Sequence, residues 1–232
     1  RPIKLNIHTI ILAGGKGTRM LSQKAKVLQA LGGRTMLNHV LTTANKISNK
    51  ISVVVGFDKE GVEEEIKKIG INANTYLQKE QIGTADAVKT TLKDIDKNEK
   101  ILILYGDVPL IKEETLKKLC NQESDLSILT TNLENPTGYG RALKDKENNV
   151  LGIIEEKDAD LEQKKIKEIF TGILVTKGGL LKNFIPEIEN NNSAKEFYLT
   201  DLIGIAHKNG FKINTLSSVS YTHLRAHETT CD

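Results

Sequence analysis

Several features that define other classes of protein are missing from this 232-residue sequence. No apolar run approaches the roughly 20 residues that a helix needs to cross a bilayer, so no membrane association is expected. The N-terminus lacks the ordered basic, apolar and small-residue regions of a secretory signal. The two cysteines, Cys120 and Cys231, do not make a disulfide framework. These absences together predict a protein of the reducing cytoplasm.

A strong excess of charge of one sign is also missing. The 33 basic and 30 acidic residues give a formal net charge of only +3. Nucleic-acid binding requires a clustered basic stripe, so no nucleic-acid partner is expected. There is no internal repeat and, in particular, no hexapeptide periodicity of a left-handed β-helix. With 38% hydrophobic and 27% charged residues, the chain is long enough for one large or two small globular domains.

Both ends of the chain differ from its body. The sequence begins Arg1-Pro2 rather than with Met. Residues 219–232 contain no Lys, Asn or Ile, which are frequent elsewhere, yet hold two of the five histidines. We therefore expect a domain over residues 1–217 and a non-native or disordered tail over residues 218–232.

Short apolar runs alternate with amphipathic segments along much of the chain. Apolar, β-branched runs predict strands at 8–13, 51–55, 74–77, 101–105 and 126–130. Apolar residues at helical spacing predict helices at 36–47, 61–69, 84–92 and 112–120. This alternation indicates a mostly parallel sheet with helices on both faces, in which ligands bind outside the carboxyl ends of the strands. The less regular second half, with strands near 142–143, 150–154 and 169–175, is expected to form a substrate-facing lobe.

The turn Gly14-Gly15-Lys16-Gly17-Thr18-Arg19 directly follows the first predicted strand. Glycines let backbone N–H groups approach an anion closely, and lysine and arginine add charge for phosphates. The turn is not a P-loop, because the GxxxxGK(S/T) spacing is absent, and it is not a dinucleotide-binding turn, because Met20 stands where a third glycine belongs. A tight turn with solvated charges is the alternative. The combination of residue types after a strand favours a phosphate site.

Other candidate residues follow later strands. Asp107 ends the apolar run at 101–105, where a carboxylate is suited to hold Mg²⁺, although a simple turn aspartate explains it equally well. The amide of Gln78 suits a base edge. Gly83 and Thr84 begin a helix and are equally explained by N-capping. Lys26 is close enough in sequence to share the phosphate site, but alone it is an ordinary surface lysine.

Taken in order, these motifs resemble the uridylyltransferase domain of bacterial bifunctional N-acetylglucosamine-1-phosphate uridyltransferases. The resemblance runs from about Ile7 to about Leu216. It includes the segments Leu-Ala-Gly-Gly-Lys-Gly-Thr-Arg-Met, Gln-Lys-Glu-Gln-Ile-Gly-Thr-Ala, Tyr-Gly-Asp-Val-Pro-Leu, Asn-Pro-Thr-Gly-Tyr-Gly-Arg, Ile-Glu-Glu-Lys-Asp-Ala, Thr-Gly-Ile and Tyr-Leu-Thr-Asp. It implies an α/β, Rossmann-like nucleotidyltransferase fold whose mixed, mostly parallel sheet is flanked by helices.

The resemblance also implies an activity. The domain would transfer UMP from UTP to N-acetylglucosamine-1-phosphate with Mg²⁺ as cofactor, releasing pyrophosphate. The product, UDP-N-acetylglucosamine, serves peptidoglycan and lipopolysaccharide synthesis in this family. A homo-oligomer is compatible with the sequence, more so if a C-terminal β-helix domain follows in the parent protein.

The site residues implied by the resemblance form four groups. The backbone that lines the nucleotide would be Leu12, Ala13, Gly14 and Gly15. The residues that act on the phosphates and the metal would be Arg19, Lys26 and Asp107, with Asp107 the Mg²⁺ ligand. The residues that face the uracil would be Gln78, Gly83 and Thr84. Tyr105 and Gly106 would border the ribose, and the amino-sugar side would include Gly140, Glu155 and Phe170.

Three departures from the family pattern bear on the activity. Phe170 stands where the family usually has Asn before Thr-Gly-Ile, so a polar sugar contact is lost or replaced. Ser193-Ala194-Lys195-Glu196 replaces the usual Ala-Gln-Gly-Glu. The second metal ligand, an Asn expected after residue 216, has no counterpart. A nucleotidyltransferase for another sugar or alcohol phosphate, and a nucleotide-binding domain with little activity, are therefore the alternatives.

Overall fold

The computed structural model describes residues 6–16 and 23–218. Its strands are β1 (Ile7–Leu12), β2 (Ala30–Leu31), β3 (Arg34–Thr35), β4 (Lys50–Val55), β5 (Asn74–Leu77), β6 (Lys100–Tyr105), β7 (Leu126–Asn132), β8 (Arg141–Lys144), β9 (Val150–Ile154), β10 (Glu168–Lys177) and β11 (Ile213–Ser217). Its α-helices are α1 (Met36–Ile47), α2 (Lys59–Ile69), α3 (Thr84–Lys89), α4 (Glu113–Cys120), α5 (Leu161–Lys164), α6 (Gly178–Phe184) and α7 (Asp201–Lys208). Short 3₁₀ turns lie at Lys26–Leu28, Leu92–Asp94, Glu156–Asp158 and Ile185–Glu187.

One mixed sheet organises the described part of the chain, in the order β11-β7-β10-β6-β1-β4-β5. β1 pairs in parallel with both β4 and β6, β4 with β5, and β11 with β7. β10 runs against both of its neighbours, β6 and β7, so the other six strands of this path share one direction. The predicted mixed, mostly parallel sheet is confirmed. β8 and β9 extend it from β10 through the pair Ile169 and Arg141.

Helices cover both faces of this sheet, as predicted. Side chains alternate across a strand, so Ile11 of β1 packs into one apolar cluster and Ile10 into the other. α1, α2 and α4 contribute buried side chains to the first cluster, and α3, α6 and α7 contribute to the second. Double coverage explains why all six residues of β1 are buried, including the polar His8 and Thr9.

The structure corrects several predicted element boundaries. The helix predicted at 84–92 ends at Lys89, because the hydroxyls of Thr90 and Thr91 bond to the carbonyls of Ala87 and Val88 at 2.7 Å. The helix predicted at 61–69 begins earlier, at Lys59. α6, α7 and β11 were not predicted from the sequence pattern. Within the described ranges, no helix is both long and apolar enough to span a bilayer.

Candidate nucleotide site

A cleft of about 460 Å³ opens at the carboxyl ends of the parallel strands. Here β1 lies between β4 and β6 in the sheet. Loops after β1, β5 and β6, the 3₁₀ turn at Lys26–Leu28 and the segment before α7 line it. The lining residues are Leu12, Ala13, Gly14, Gly15, Lys16, Lys26, Val27, Gln78, Gln81, Gly83, Thr84, Ala87, Tyr105, Asp107 and Glu196.

The glycine-rich turn lies against the end of β4. Phe57 N donates to Gly14 O at 3.1 Å, and a Cβ on Gly14 would lie 3.3 Å from the backbone of Val55 and Gly56. Glycine therefore permits this close approach. Lys16 Nζ lies 5.0 Å from the centroid of the Phe57 ring, a cation–π distance. Arg19, the predicted triphosphate contact, lies outside the described residues.

Lys26 and Asp107 meet across the cleft. Lys26 Nζ and Asp107 Oδ2 are 3.5 Å apart, and each side chain is about one-third exposed. Gly106, before Asp107, donates its N–H to Leu12 O at 2.9 Å, and a Cβ there would lie 2.8 Å from Val27 Cγ1. Glycine at 106 thus brings the loop after β6 against the segment that carries Lys26.

The carboxylate in the cleft suits a metal ion that is also coordinated by substrate phosphates. Mg²⁺ is commonly held by one or two carboxylates together with water and substrate phosphates. Asp107 offers one carboxylate, which faces the ammonium group of Lys26. Among residues 6–16 and 23–218 there is no cluster of three or more acidic, His or Cys side chains that could hold a metal ion. These residues fit shared coordination of Mg²⁺ rather than a cage made by the protein alone.

Asp58 holds the segment that carries Lys26 in place through a hydrogen bond, a role that was not predicted from the sequence. Its carboxylate accepts from Ala25 N at 3.0 Å and from Gly61 N at 3.3 Å. It therefore caps α2 and holds the backbone immediately before Lys26. Asp58 has a φ of 54°, a left-handed conformation that aspartate tolerates better than most residues.

Replacing Asp58 with Ala is expected to lower both stability and nucleotidyl transfer. Loss of the helix cap costs about 1 kcal/mol, and release of Ala25 frees Lys26 to leave the cleft. Urea unfolding and pyrophosphate release measure the two effects. The matched control is Asp160→Ala, which removes the exposed cap of α5 and should reduce only stability. Equal turnover in the two variants would contradict this role of Asp58.

Two of the predicted uracil residues, Gly83 and Thr84, lie at the start of α3, where the chain contacts a distant loop. Gly83 has a φ of 128°, and a Cβ there would lie 2.3 Å from Phe197 O, so only glycine fits. The Thr84 hydroxyl accepts from Leu199 N at 2.9 Å. Gln78, directly after β5, is 5% exposed and lines the cleft. The structure thus brings Gln78, Gly83 and Thr84 together on one wall.

The predicted amino-sugar residues lie together, beyond the cleft lining. A Cβ on Gly140 would lie 3.4 Å from Glu155 Oε1, which accepts from the Thr200 hydroxyl at 2.9 Å. Phe170 N donates to Gly140 O at 2.9 Å, but the phenyl ring is buried in the apolar core and does not line the cleft. The Phe170 ring therefore offers no polar contact to the cleft.

Opposite charges lie on the two sides of the site. The side predicted to bind phosphates carries Lys16 and Lys26. On the other side, burial together with nearby carboxylates, including Glu155 and Glu196, raises the pKa of Tyr198 to about 12, so its phenol stays neutral. Carboxylates are acceptors suited to sugar hydroxyls, whereas the lysines suit phosphates.

Some lining residues were not among the predicted site residues. They are Val27, Gln81, Ala87 and Glu196, whereas the charge of Lys16 was assigned to phosphates together with the glycine-rich turn. Gln81 belongs to a motif that the sequence displays, so its residue type was a usable signal. Glu196 reaches the cleft only because its segment folds against Gly83, which sequence spacing does not indicate.

Comparison with known families decides the class of this site. A family model described as a MobA-like NTP transferase domain matches residues 9–159, more than half of the chain. The chain belongs to this family. The predicted nucleotidyltransferase class is thereby confirmed. The matched region contains the glycine turn, Lys26, Gln78, Asp107, Gly140 and Glu155.

Individual relatives agree with this assignment. The chain is 44% identical over 215 residues to the bifunctional protein GlmU of Ruthia magnifica and 42% identical over 212 residues to that of Psychrobacter cryohalolentis. These matches cover 92% and 90% of the chain but only 47% and 46% of the relatives, so this nucleotidyltransferase spans about half of their length. The predicted resemblance is confirmed.

A solved structure supports the fold. A crystal structure assigned to a glucose-1-phosphate thymidylyltransferase from Bacillus anthracis superimposes with a TM-score of 0.74. The match covers 91% of this nucleotidyltransferase and 87% of that chain at 20% identity. At this identity, the likeness supports the α/β fold and says nothing about the substrate.

Proposed function

We propose that this nucleotidyltransferase moves UMP from UTP to N-acetylglucosamine-1-phosphate, forming UDP-N-acetylglucosamine and pyrophosphate. One observation carries the proposal. A glycine turn, a lysine–carboxylate pair and a buried amide converge on one cleft at the strand ends, next to the Gly140–Glu155 group. These groups suit a triphosphate, a base and a sugar in that order. The similarity to proteins named bifunctional GlmU supports the choice of uridine and amino sugar.

The proposed chemistry is an in-line displacement. A phosphate oxygen of the sugar phosphate attacks the α-phosphorus of UTP, and pyrophosphate leaves. Because this oxygen is already anionic, the step needs no general base, and catalysis rests on positioning and charge neutralisation. Lys26 would neutralise phosphate charge, and Arg19 keeps this predicted role. Asp107 would hold Mg²⁺, which when bound neutralises charge on the triphosphate.

The amino-sugar side is proposed to bind through Gly140 and Glu155. A Cβ at 140 would lie 2.7 Å from Ile153 Cγ2, so glycine fits best there, and the carboxylate of the neighbouring Glu155 accepts from the Thr200 hydroxyl. Tyr105 reaches the cleft beside Gly172, where a Cβ would lie 2.7 Å from its ring. The buried Phe170 ring favours a second candidate, transfer to another sugar or alcohol phosphate, because it provides no polar contact here. We place the reaction in the cytoplasm.

A substrate panel tests the proposal. Pyrophosphate release is measured with UTP, CTP and dTTP against N-acetylglucosamine-1-phosphate, glucose-1-phosphate and other sugar phosphates, with Mg²⁺ or with a chelator. We expect the highest kcat/KM with UTP and N-acetylglucosamine-1-phosphate, and no turnover with the chelator. Preference for another acceptor would favour the second candidate. Calorimetric UTP binding without product would favour a nucleotide-binding domain of little activity.

A further inference from the structure

The side-chain amide of Gln78 is held by two acceptors. Its Nε2 donates to Gly83 O and to Asp86 Oδ2, each at 3.0 Å. A carbonyl oxygen and an ionised carboxylate can only accept hydrogen bonds. Both amide hydrogens are therefore used inside the protein. The reverse orientation would set the amide oxygen against two acceptors, so this network fixes which end of the amide faces the cleft.

The end of the amide that faces the cleft is the oxygen. Gln78 Oε1 would lie 3.4 Å from a Cβ on Gly14, so it points toward the glycine turn. Gln78 is almost fully buried. A ligand that placed a second acceptor against this oxygen would leave both acceptors without a donor and out of contact with water, which lowers the binding free energy. The wall therefore accepts a ligand that places an N–H at this position.

Asp86 itself does not line the cleft. It lies in the first turn of α3, half-buried, behind Gln78. We propose that Asp86 is a positioning residue that selects the base by orienting Gln78, an inference that rests on the proposed uridylyl transfer. With its amide fixed, Gln78 offers an acceptor to the imide N–H of uracil. Cytosine has a ring nitrogen with a lone pair in the corresponding place and is disfavoured.

The orientation of the Gln78 amide depends on Asp86 together with the backbone carbonyl of Gly83. No side-chain substitution removes the Gly83 carbonyl, so Asp86 is the partner whose replacement can weaken this orientation. An amide that turned over would present a donor to the cleft in place of the acceptor.

The test compares UTP and CTP in wild type, Asp86→Asn and Asp86→Glu. Both kcat/KM and calorimetric affinity are measured, so that binding is followed without turnover. In Asp86→Asn, the new side-chain amide can donate to Gln78 Oε1 and release the fixed orientation. We expect the preference for UTP over CTP to fall roughly tenfold, mainly through a higher KM for UTP. Asp86→Glu keeps an acceptor-only carboxylate and should retain most of the preference.

Two controls separate orientation from folding. Thermal melting checks each variant, and Glu60→Gln removes an exposed acid from the first turn of α2 and should leave the UTP preference unchanged. The Gln78 side-chain amide signals in ¹⁵N NMR should shift in Asp86→Asn. An unchanged UTP preference in folded Asp86→Asn would overturn the role of Asp86 but not the proposed uridylyl transfer. A wild type that does not prefer UTP over CTP would overturn it together with the uridine specificity of the proposed function.

Discussion

Replacement of Asp107 with Ala is expected to lower nucleotidyl transfer by two to three orders of magnitude while leaving the fold intact. A single preorganised group that stabilises developing charge is worth about 10²–10³-fold in rate. Asp107 is the carboxylate that faces Lys26 in the cleft, and no metal-binding cluster of three such ligands occurs among the described residues to replace it. Pyrophosphate release under saturating UTP measures the effect. The apparent affinity for Mg²⁺ should fall in parallel.

Stability should hardly change in Asp107→Ala. The Lys26–Asp107 pair is partly exposed, and such pairs contribute about 1 kcal/mol or less. Asp125→Asn is a matched control, because Asp125 also pairs with a lysine, Lys177, at 3.1 Å but does not line the cleft. It should retain full activity. A rate for Asp107→Ala equal to that of this control would rule out the proposed role.

Replacement of Arg141 with Ala is expected to destabilise the domain by about 3 kcal/mol, a large share of the 5–15 kcal/mol of a typical domain. The Arg141 side chain is 1% exposed and forms an ion pair with Glu156. It also donates to the carbonyls of Tyr139, Lys164 and Ile166. Removing it leaves these acceptors without their donor. Urea denaturation measures the loss as a lower midpoint.

Arg141 also ties the two parts of the proposed sugar side together. It follows Gly140 directly, and its partner Glu156 follows Glu155. Although burial acts to raise the pKa of the Glu156 carboxyl, the hydrogen bond and charge of Arg141 bring it below its usual value. The KM for the sugar phosphate should therefore rise more than the KM for UTP in Arg141→Ala. Arg141→Lys keeps the charge but loses the planar set of guanidinium N–H donors, so its stability should lie between those of Arg141→Ala and the wild type. Wild-type stability in Arg141→Ala would contradict this account.

The part of the cleft that follows the parallel strands could be predicted from the sequence because it depends on local pattern. Continuous apolar runs identify the buried parallel strands, and the residues that follow them must lie at one edge of the sheet. Gly14, Lys26, Gln78 and Asp107 were selected on this basis and on the family resemblance, and all four line one cleft. Arg19 remains a prediction, as it lies outside the described residues.

The rest of the site depends on contacts between segments that are remote in sequence. Asp58 was not singled out in the sequence, and its bond to Ala25 joins residues 33 positions apart. The segment 196–200, which contributes Glu196 to the cleft, is held by a hydrogen bond from Leu199 N to the Thr84 hydroxyl, 115 residues earlier in the chain. Phe170, predicted on the sugar side, bonds to Gly140 through its backbone while its ring packs in the apolar core, an arrangement that depends on the pairing of distant strands. Neither periodicity nor motif spacing contains such information.

The glycine turn after β1 and the acid after β6 were determined by the sequence alone, because residue chemistry and the two-residue period of strands are local properties. Only the tertiary structure decided which groups meet. It placed Lys26 against Asp107, buried Phe170, and turned the amide of Gln78 so that its oxygen faces the cleft. The physical reason is that a hydrogen bond requires its partners within about 3 Å, a distance that folding sets between segments far apart in the chain.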